Sequence, residues 1–302
     1  MRRACALLVL AACHDSQVQR LTSTRPSTRE SLSATPTVLE FDPSPSPAEP
    51  ASPCPTKPQR LGAGLTAERQ PLDATPALDL EPCFDVVRAD AARYHLILLT
   101  KAHDGTSQPA TGWRERYRLT AVTNAGMFHA NGNPVGMLVD DGTQVAKDHP
   151  TFGGYIAFDP RIPSDAPVTI TGRDCANFDL LALQRRYKSI LQANRLLGCA
   201  GEALPWQDLK QYSASAIAVD RHGNPVFIHA RAAVTMTQLA RAVAALDLAG
   251  ALFLEGGPEA SLVVRGSEGE LARVGSYESG FVENDENKTF WWLPNVLALE
   301  PN

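Results

Sequence analysis

The sequence predicts an α+β fold: a mixed, largely antiparallel sheet with a few packed helices, in a single globular domain after a disordered stalk. Short apolar runs are separated by tight turns such as Asp141-Gly142, and an Asp-Gly turn between apolar runs is typical of a β-hairpin. These hairpins outnumber any regular alternation of strand and helix. Hydrophobic residues make up 44% of the chain and charged residues 20%, which is typical of a domain with a sizeable core.

Residues 1–13 have the layout of an export signal. Arg2 and Arg3 precede an apolar stretch, residues 4–12, that is far too short to span a bilayer. Leu10-Ala-Ala-Cys13 resembles the bacterial lipobox, and a lipid on Cys13 would attach the protein to a membrane surface. We therefore predict an exported protein, either periplasmic or anchored as an outer-membrane lipoprotein. A plain export signal and a misassigned start are the alternatives.

Residues 14–82 are predicted to form a disordered linker. The segment is rich in Ser, Thr and Pro, and 12 of the 23 prolines lie in it. Such a composition cannot bury enough apolar surface to offset the entropy lost on ordering. Its prolines favour an extended spacer. The folded domain is accordingly predicted to cover residues 83–302.

Four cysteines remain once the export signal is set aside: Cys54, Cys83, Cys175 and Cys199. They allow three pairings. We favour the Cys175–Cys199 pair, because both residues lie in the predicted domain and export implies an oxidising compartment. No Cys and His spacing indicates a zinc site.

The apolar runs predict the elements of the domain in order. The period of residues 180–197 predicts a helix with Leu183, Tyr187 and Ile190 on one face. Residues 235–248 predict a second helix, capped by Thr235 and ended by Gly250. Strands are predicted at residues 94–100, 118–123, 135–139, 155–158, 168–171, 215–219, 226–229, 251–254 and 295–299.

Residues 251–264 carry the pattern that most strongly suggests a site. An apolar run, typical of a buried strand, ends in Glu255, and Gly256, Gly257 and then Glu259 follow. The two glycines let the backbone take a positive φ or approach a ligand closely. The pattern thus places a carboxylate at the end of a rigid strand, where catalytic groups are often found. An ordinary hairpin turn with solvated glutamates is the alternative.

Composition and motifs exclude several classes of function. The net charge is −5 and no basic patch with interleaved aromatic residues is present, so nucleic-acid binding is not expected. The sequence has no G-x-S-x-G, P-loop, G-x-G-x-x-G or H-E-x-x-H motif. Carboxylates, amides and arginines beside glycine turns remain, and this set suits sugars and phosphates.

The order of these segments resembles the phosphodiester glycosidase family over residues 93–299. The matching motifs are, in order, Thr123-Asn-Ala-Gly-Met-Phe128, Pro134-Val-Gly-Met-Leu138, Asp141-Gly142, Gln192-Ala-Asn-Arg195, the strand at 216–219, the helix at 235–248, and Leu254-Glu-Gly-Gly257 with Ser261. Each motif is moderately specific by itself. Their order and spacing together identify the family.

Two positions depart from the usual family pattern. Glu255 stands where the family usually has aspartate, so the carboxylate reaches one methylene further. Many members carry an arginine just before the strand at 216–219, where this chain has Tyr212-Ser213. The ending Gly275-Ser-Tyr-Glu-Ser-Gly280 suggests a particular bacterial subgroup. The departures affect the transfer of catalytic detail rather than the fold.

The resemblance implies a hydrolase that cleaves a sugar-1-phosphodiester linkage in the bacterial cell envelope. Such a reaction needs a carboxylate for an oxocarbenium-like transition state and cations for the phosphate. Glu255 is the predicted base or nucleophile, and Glu259 is the second candidate. The predicted substrate-binding residues are Asn124, Gly126, Phe128, Gln192, Arg195, Arg231, Gly256, Gly257 and Ser261, with the two arginines as phosphate clamps.

Structural alternatives stay open for these residues. Asn124 could merely shape a turn, Arg195 could end a helix, and Arg231 could be an ordinary surface arginine. No cofactor is predicted; the acidic residues 283–286 could bind Ca²⁺, although a solvated acidic loop is the default. The alternative function, favoured by Glu255 and the missing arginine, is a non-catalytic glycan- or polymer-binding envelope lipoprotein.

Overall fold

Antiparallel strands dominate the structure. The computed structural model describes Cys54, residues 57–72, Leu78 and residues 80–302. Every strand pair in this part of the chain is antiparallel. The prediction of a largely antiparallel sheet is therefore confirmed. The helices are short, so the fold is more sheet-dominated than the α+β prediction implied.

The elements follow one another with short connections. The strands are β1 (Gln59–Gly62), β2 (Leu65–Pro71), β3 (Cys83–Ala89), β4 (Tyr94–Thr100), β5 (Gln108–Pro109), β6 (Ala121–Asn124), β7 (Leu138–Asp140), β8 (Thr143–Ala146), β9 (Gly154–Pro160), β10 (Val168–Gly172), β11 (Tyr187–Arg195), β12 (Gln211–Asp220), β13 (Pro225–Thr235), β14 (Leu248–Gly256), β15 (Ser261–Arg265), β16 (Glu270–Val274), β17 (Trp292–Leu293) and β18 (Asn295–Pro301). The helices are α1 (Lys101–Asp104), α2 (Ala110–Tyr117), α3 (Leu180–Arg186) and α4 (Met236–Ala244), and a 3₁₀ turn covers Gly257–Glu259.

Two sheets enclose the main core. The larger sheet has the order β1-β2-β3-β13-β12-β14-β11-β7-β8, with β9 also paired to β11 and β10 to β9. The smaller has the order β16-β15-β6-β18-β4. Leu252 and Leu254 of the larger sheet share one buried cluster with Leu262 and Leu297 of the smaller. Burial of this apolar surface is the main force that holds the sheets together.

Helix α4 covers the outer face of the larger sheet and leads into β14. Thr235 caps it by accepting from the Gln238 N–H, and the Gln238 side chain returns a bond to the Thr235 backbone, a capping box. The predicted helix is confirmed, but Gly250 does not end it. Gly250 lies within β14, where a Cβ would come 2.8 Å from the Ile170 Cγ2 atom. The glycine therefore serves strand packing.

The predicted helix at residues 180–197 is wrong beyond its first two turns. Asp179 caps α3 by accepting from the Ala182 N–H, and the helix ends at Arg186. Strand β11 follows and is buried along most of its length, including Ile190 and Leu191. A strand buried on both faces has a nearly continuous apolar run, which periodicity cannot distinguish from a helix.

The folded domain begins before the predicted boundary at Cys83. Strands β1 and β2 lie in the segment predicted as linker, and β2 pairs with β3 over its whole length. Leu61 and Leu65 are fully buried in the main core. Two leucines four positions apart are too sparse to stand out in a proline-rich segment. The rest of the predicted linker, and the signal segment with Cys13, lie outside the described residues.

Two disulfides join the described cysteines. Cys175 pairs with Cys199, as predicted, and Cys54 pairs with Cys83. Structural disulfides are typical of proteins that fold in an oxidising compartment. No helix within the described residues is long and apolar enough to cross a membrane.

Candidate active site

Two of the predicted segments, the one with Asn124 and the one with Glu255 and Ser261, meet where strands of the two sheets end. Asn124 ends β6, Glu255 lies one residue before the end of β14, and Ser261 begins β15. The Asn124 Oδ1 atom accepts from the Ser215 Oγ at 2.7 Å and from the Ser261 N–H at 3.2 Å. Ser215 Oγ also lies 3.2 Å from the Glu255 carbonyl oxygen. Asn124 therefore connects the smaller sheet to the strand that carries Glu255.

These hydrogen bonds fix the orientation of the Asn124 amide. The Ser261 backbone N–H can only donate, so the atom facing it must be the side-chain oxygen. The Asn124 side chain is fully buried, and its Nδ2 atom has no hydrogen-bond partner among the described residues. Buried donors are rarely left unsatisfied. The Asn124 amide thus keeps a buried N–H donor without a partner among the described residues, while its oxygen is linked through Ser215 to the Glu255 backbone.

The Gly256-Gly257 turn requires glycine at both positions. A Cβ on Gly256 would lie 2.9 Å from the Tyr212 Cβ. Gly257 has φ 68°, and a Cβ there would lie 2.6 Å from the Glu278 Oε2 and 3.5 Å from the Glu259 Oε2. Such contacts and such a φ disfavour any residue with a side chain. The turn is therefore enclosed by an aromatic ring and two carboxylates.

Glu255 and Glu259 both stay near this turn, as the sequence predicted. The Glu255 side chain is half-buried, and its Oε1 accepts from the Gly256 N–H at 3.2 Å. Glu259 ends the 3₁₀ turn, and its carbonyl oxygen accepts from the Ser261 Oγ at 3.0 Å. Ser261 is thereby held on both sides, through Asn124 and Glu259. The structure brings all of these residues together.

Tyr212 and Glu278 are site residues that the sequence did not assign. The Tyr212 hydroxyl donates to the Asp208 carboxylate at 3.0 Å. Burial raises the pKa of Tyr212, and so do the bond to Asp208 and the charges of Asp208, Glu278 and Glu255. Glu278 and Glu255 therefore act electrostatically on the same phenol. The signals available were the Tyr212-Ser213 departure and the glycine-flanked ending at residues 275–280.

The predicted residue Gln192 holds a loop. Its Oε1 accepts from the Met137 and His149 N–H groups at 2.9 and 2.7 Å. Its Nε2 donates to the carbonyl oxygens of His149 and Phe152, both at 2.8 Å, and lies 3.2 Å from the Tyr155 hydroxyl. These bonds use the donors and acceptors of the amide. The structure thus gives Gln192 a scaffold position on β11.

Arg195 lies at the end of β11, in a strand rather than at a helix end, and apart from the Glu255 turn. Its guanidinium pairs with the Asp174 carboxylate and lies 3.2 and 3.3 Å from the sulfurs of Cys175 and Cys199. It lines a cavity of about 300 Å³ beside that disulfide. Since Arg195 pairs with Leu252 across the sheet, it is three residues along β14 from Glu255, roughly 10 Å.

Arg231 anchors a neighbouring segment. Its guanidinium donates to the carbonyl oxygens of Val274 at 2.7 Å and Asn287 at 2.9 Å, and it pairs with the Asp285 carboxylate at 2.5 Å. Asp285 belongs to the acidic loop at residues 283–286. Arg231 is therefore more than a surface arginine, because it fixes both ends of the segment that carries Glu278.

Gly126 and Phe128 continue the Asn124 turn. Gly126 has φ 73° and is buried, so the turn depends on the freedom of glycine there. The Phe128 side chain packs against the buried cluster around Trp113. Its backbone forms an isolated bridge with Pro134. Phe128 thus supports the loop from the side of the smaller sheet.

A row of polar side chains crosses four neighbouring strands and ends at Glu255. The cross-strand partners are Asp85 with His229, His229 with Ser215, and Ser215 with Glu255. Burial lowers the pKa of His229 to about 4. The Ser215 hydroxyl bonds to Asn124 and the Glu255 carbonyl oxygen. Because Ser215 is directed toward Asn124, the row supports the site and does not activate a serine nucleophile.

Possible metal ligands cluster in two places within the described chain. Each cluster has ligand atoms within 4.8 Å of one another, and each contains two cysteines. Both cysteine pairs are disulfide-bonded, whereas a zinc-binding cysteine is a thiolate. These clusters are therefore disulfide environments.

Comparison with solved structures relates this architecture to known proteins. The zebrafish N-acetylglucosamine-1-phosphodiester α-N-acetylglucosaminidase catalytic domain, auto-inhibited by its pro-peptide, aligns with a TM-score of 0.57 and 14% identity over 82% of this chain and 87% of that one. A hypothetical protein from Synechocystis aligns with a TM-score of 0.55 and 13% identity over 79% of this chain and 62% of that one. At these identities the likeness defines the fold. No curated protein matches the sequence significantly.

Fold and site together define an antiparallel two-sheet domain with carboxylates around a glycine turn at the strand ends. The model of the phosphodiester glycosidase family matches residues 117–300, more than half of the 302-residue chain. The chain belongs to the phosphodiester glycosidase family. The resemblance found in the sequence is thereby confirmed, and the matched region contains every predicted site residue.

Proposed function

We propose that this protein hydrolyses a glycosyl phosphodiester, with Glu255 as the central carboxylate. The main support for this proposal is the set of hydrogen bonds around Asn124. The Asn124 oxygen bonds to Ser215 and Ser261, and Ser215 in turn lies within hydrogen-bonding distance of the Glu255 carbonyl oxygen. The buried Nδ2 atom of Asn124 has no partner among the described residues. Preorganised donors beside a carboxylate suit a reaction that develops charge on a sugar. Family membership supports this reaction class.

The reaction breaks the bond between the anomeric carbon and the phosphate oxygen. Water adds to the carbon, and the electron pair of the broken bond leaves with the phosphate monoester. This leaving group is stable near neutral pH, so a strong general acid matters less than in ordinary glycosidases. In this proposal Glu255 stabilises the oxocarbenium-like transition state or activates the nucleophile. The Asn124 amide donates to a substrate oxygen.

In this proposal Arg195 and Arg231 are the residues that would bind the phosphate of the substrate. Arg195 pairs with Asp174, and Arg231 pairs with Asp285 and two backbone carbonyl oxygens. A phosphate would have to compete with these partners. This occupancy favours the second candidate, a glycan-binding envelope protein that keeps the fold without turnover. An exported, lipid-anchored location remains part of the proposal and depends on Cys13.

The two candidates differ in turnover. We expect the protein to release free sugar from a sugar-1-phosphate diester such as UDP-GlcNAc, and Glu255→Gln to lower kcat by roughly 10² to 10⁴-fold, the usual effect of removing a positioned catalytic group. The matched control is Glu270→Gln, which changes an exposed glutamate paired with Arg265. Binding of the glycan without sugar release would support the binding protein instead.

A folded Glu255→Gln protein with near wild-type turnover would reject Glu255 as the central carboxylate. Circular dichroism and thermal melting establish that both variants are folded. A lipid anchor is tested separately, by labelling with radioactive palmitate: label that persists in Cys13→Ala would exclude attachment at Cys13.

A further inference from the structure

We propose that Glu278, rather than Glu259, is the second catalytic carboxylate, which accepts the proton of the attacking water. The inference rests on the proposed hydrolase function and adds a residue to its site. Three residues lie around the glycine turn: Glu255 on β14, Tyr212 on β12, and Glu278 on the segment after β16.

Glu278 is directed at the turn that follows Glu255. Its Oε2 atom lies 2.6 Å from the position that a Cβ on Gly257 would occupy, so the carboxylate fills the space left by the missing side chain. The Glu259 Oε2 atom lies 3.5 Å from the same point. Of these two carboxylates, that of Glu278 lies closer to the Cβ position of Gly257.

Tyr212 relates Glu278 to Glu255. Both carboxylates act electrostatically on the Tyr212 phenol. The Tyr212 ring packs over Gly256, and its hydroxyl is held by Asp208. Glu255 and Glu278 therefore both lie near this ring.

Backbone hydrogen bonds fix the segment that carries Glu278. The Ser213 N–H donates to the Tyr277 carbonyl oxygen at 2.8 Å, and the Ser213 Oγ accepts from the Ser276 and Tyr277 N–H groups at 3.0 and 3.1 Å. Glu278 forms backbone bridges with Tyr212 and Val282. A catalytic group must sit on a well-held backbone, and these bonds hold the main chain on both sides of Glu278.

The two carboxylates suit different roles. Glu255 accepts the Gly256 N–H at 3.2 Å, which holds its carboxylate beside the turn. In this position the carboxylate of Glu255 is suited to stabilise positive charge at the anomeric carbon. Glu278, across the turn, takes the proton from water as the water oxygen bonds to that carbon and the phosphate leaves. Paired carboxylates with divided roles are the usual arrangement in glycoside hydrolysis.

The buried amide of Asn124 supplies independent support for a ligand here. Its Nδ2 atom is fully buried, has no partner within the described residues, and belongs to a side chain that bonds through Ser215 toward Glu255. A sugar hydroxyl or a phosphate oxygen placed beside Glu255 would satisfy it. Glu255 is therefore linked through Ser215 to Asn124, whose amide N–H groups are preformed hydrogen-bond donors.

The test compares Glu278→Gln with Glu259→Gln in the full chain, using UDP-GlcNAc as substrate. We expect Glu278→Gln to lose roughly 10² to 10⁴-fold in kcat with little change in KM, and to change the acidic limb of the pH–rate profile, leaving only the part due to Glu255. Glu259→Gln should lose much less than Glu278→Gln, and the exposed control Glu270→Gln should stay within about threefold of wild type. Azide should restore turnover to Glu278→Ala and yield a glycosyl azide, because azide attacks without giving up a proton.

The outcomes separate this inference from the proposed function. If the wild-type protein releases no sugar, the proposed function fails and Glu278 has no catalytic role. If the wild type is active and Glu278→Gln is within threefold of it, only the Glu278 assignment is overturned. A purely structural role for Glu278 would give a variant with a lower Tm, an unchanged pH profile and no rescue by azide. Thermal melting of each variant identifies that case.

Discussion

At the residue scale, His229 and Asn124 are both fully buried polar residues, and each answers a different need. Asn124 uses its oxygen to join two strands, and its buried amide nitrogen has no partner among the described residues. His229 lies in the middle of the row that leads from Asp85 to Glu255, with its Nε2 3.4 Å from the Ala260 carbonyl oxygen. Asn124 is suited to bind a ligand, whereas His229 supports the sheet.

The burial of His229 predicts a loss of stability on acidification. Its pKa is lowered by burial to about 4, against about 6.5 in the unfolded chain. Protons therefore bind preferentially to the unfolded chain between these values, and stability falls as pH drops from about 6.5 to 4. The full effect is about 3 kcal/mol. We expect it as a change in the free energy of unfolding, measured with urea at pH 7.5 and 4.5.

The matched variant for this measurement is His229→Gln, which has no group that titrates in the window. Other groups affect both proteins equally, so the difference between the two pH dependences isolates His229. Parallel curves for wild type and variant would contradict the assignment of this loss to His229.

At the scale of elements, the site depends on a segment without regular structure. Residues 276–277 are bonded to β12 through Ser213, and Arg231 donates to Val274 and Asn287 at the two ends of the longer segment 274–287. The main chain that carries Glu278 is therefore held by partners on other elements. Sequence periodicity carries no information on such a segment, because its order comes from distant partners.

Replacement of Arg231 should loosen this segment. Arg231→Met leaves the half-buried carbonyl oxygens of Val274 and Asn287 without their donor, which costs about 0.5–1.5 kcal/mol for each hydrogen bond lost. We expect faster hydrogen exchange at residues 276–279 and, if Glu278 is catalytic, at least a tenfold lower kcat. The control is Arg265→Met, which removes an exposed ion pair with Glu270. Unchanged exchange protection in Arg231→Met would show that Arg231 does not hold the segment.

At the scale of the whole molecule, the core is formed between two sheets whose strands come from distant parts of the chain. Strands β1 and β2 extend the larger sheet at one edge and bring Leu61 and Leu65 into the main core. The disulfide between Cys54 and Cys83 joins this edge to β3. The domain therefore includes β1 and β2, which lie in the proline-rich segment before the predicted boundary at Cys83.

Deletion of residues 1–82 should therefore destabilise the domain, whereas deletion of residues 1–53 should leave these strands in place. Loss of Leu61 and Leu65 from the core costs on the order of 2–5 kcal/mol for each side chain, and the exposed β3 edge favours aggregation. We expect a Tm lower by at least 10 °C in the shorter chain, measured by differential scanning fluorimetry. Equal Tm values in the two chains would place the boundary at Cys83 after all.

The family, the largely antiparallel sheet, helix α4, the Cys175–Cys199 disulfide and the turn after Glu255 could all be predicted from the sequence. Each depends on local order: hairpin turns, caps, short apolar runs and glycine at fixed spacing. The sequence could not distinguish β11 from a helix, since burial on both faces removes the alternation that identifies a strand. It also placed Arg195 near Glu255, because motif order along the chain contains no distances between strands.

The tertiary structure is needed to find which polar residues lie together around the turn after Glu255. Glu278 is 23 positions from Glu255, and its place over Gly257 depends on Ser213, Tyr212 and Arg231, which precede both. Cross-strand register brings His229 and Ser215 into one row. Such contacts form between strands that pair only in the folded chain, so their chemistry follows from the fold and not from any local pattern.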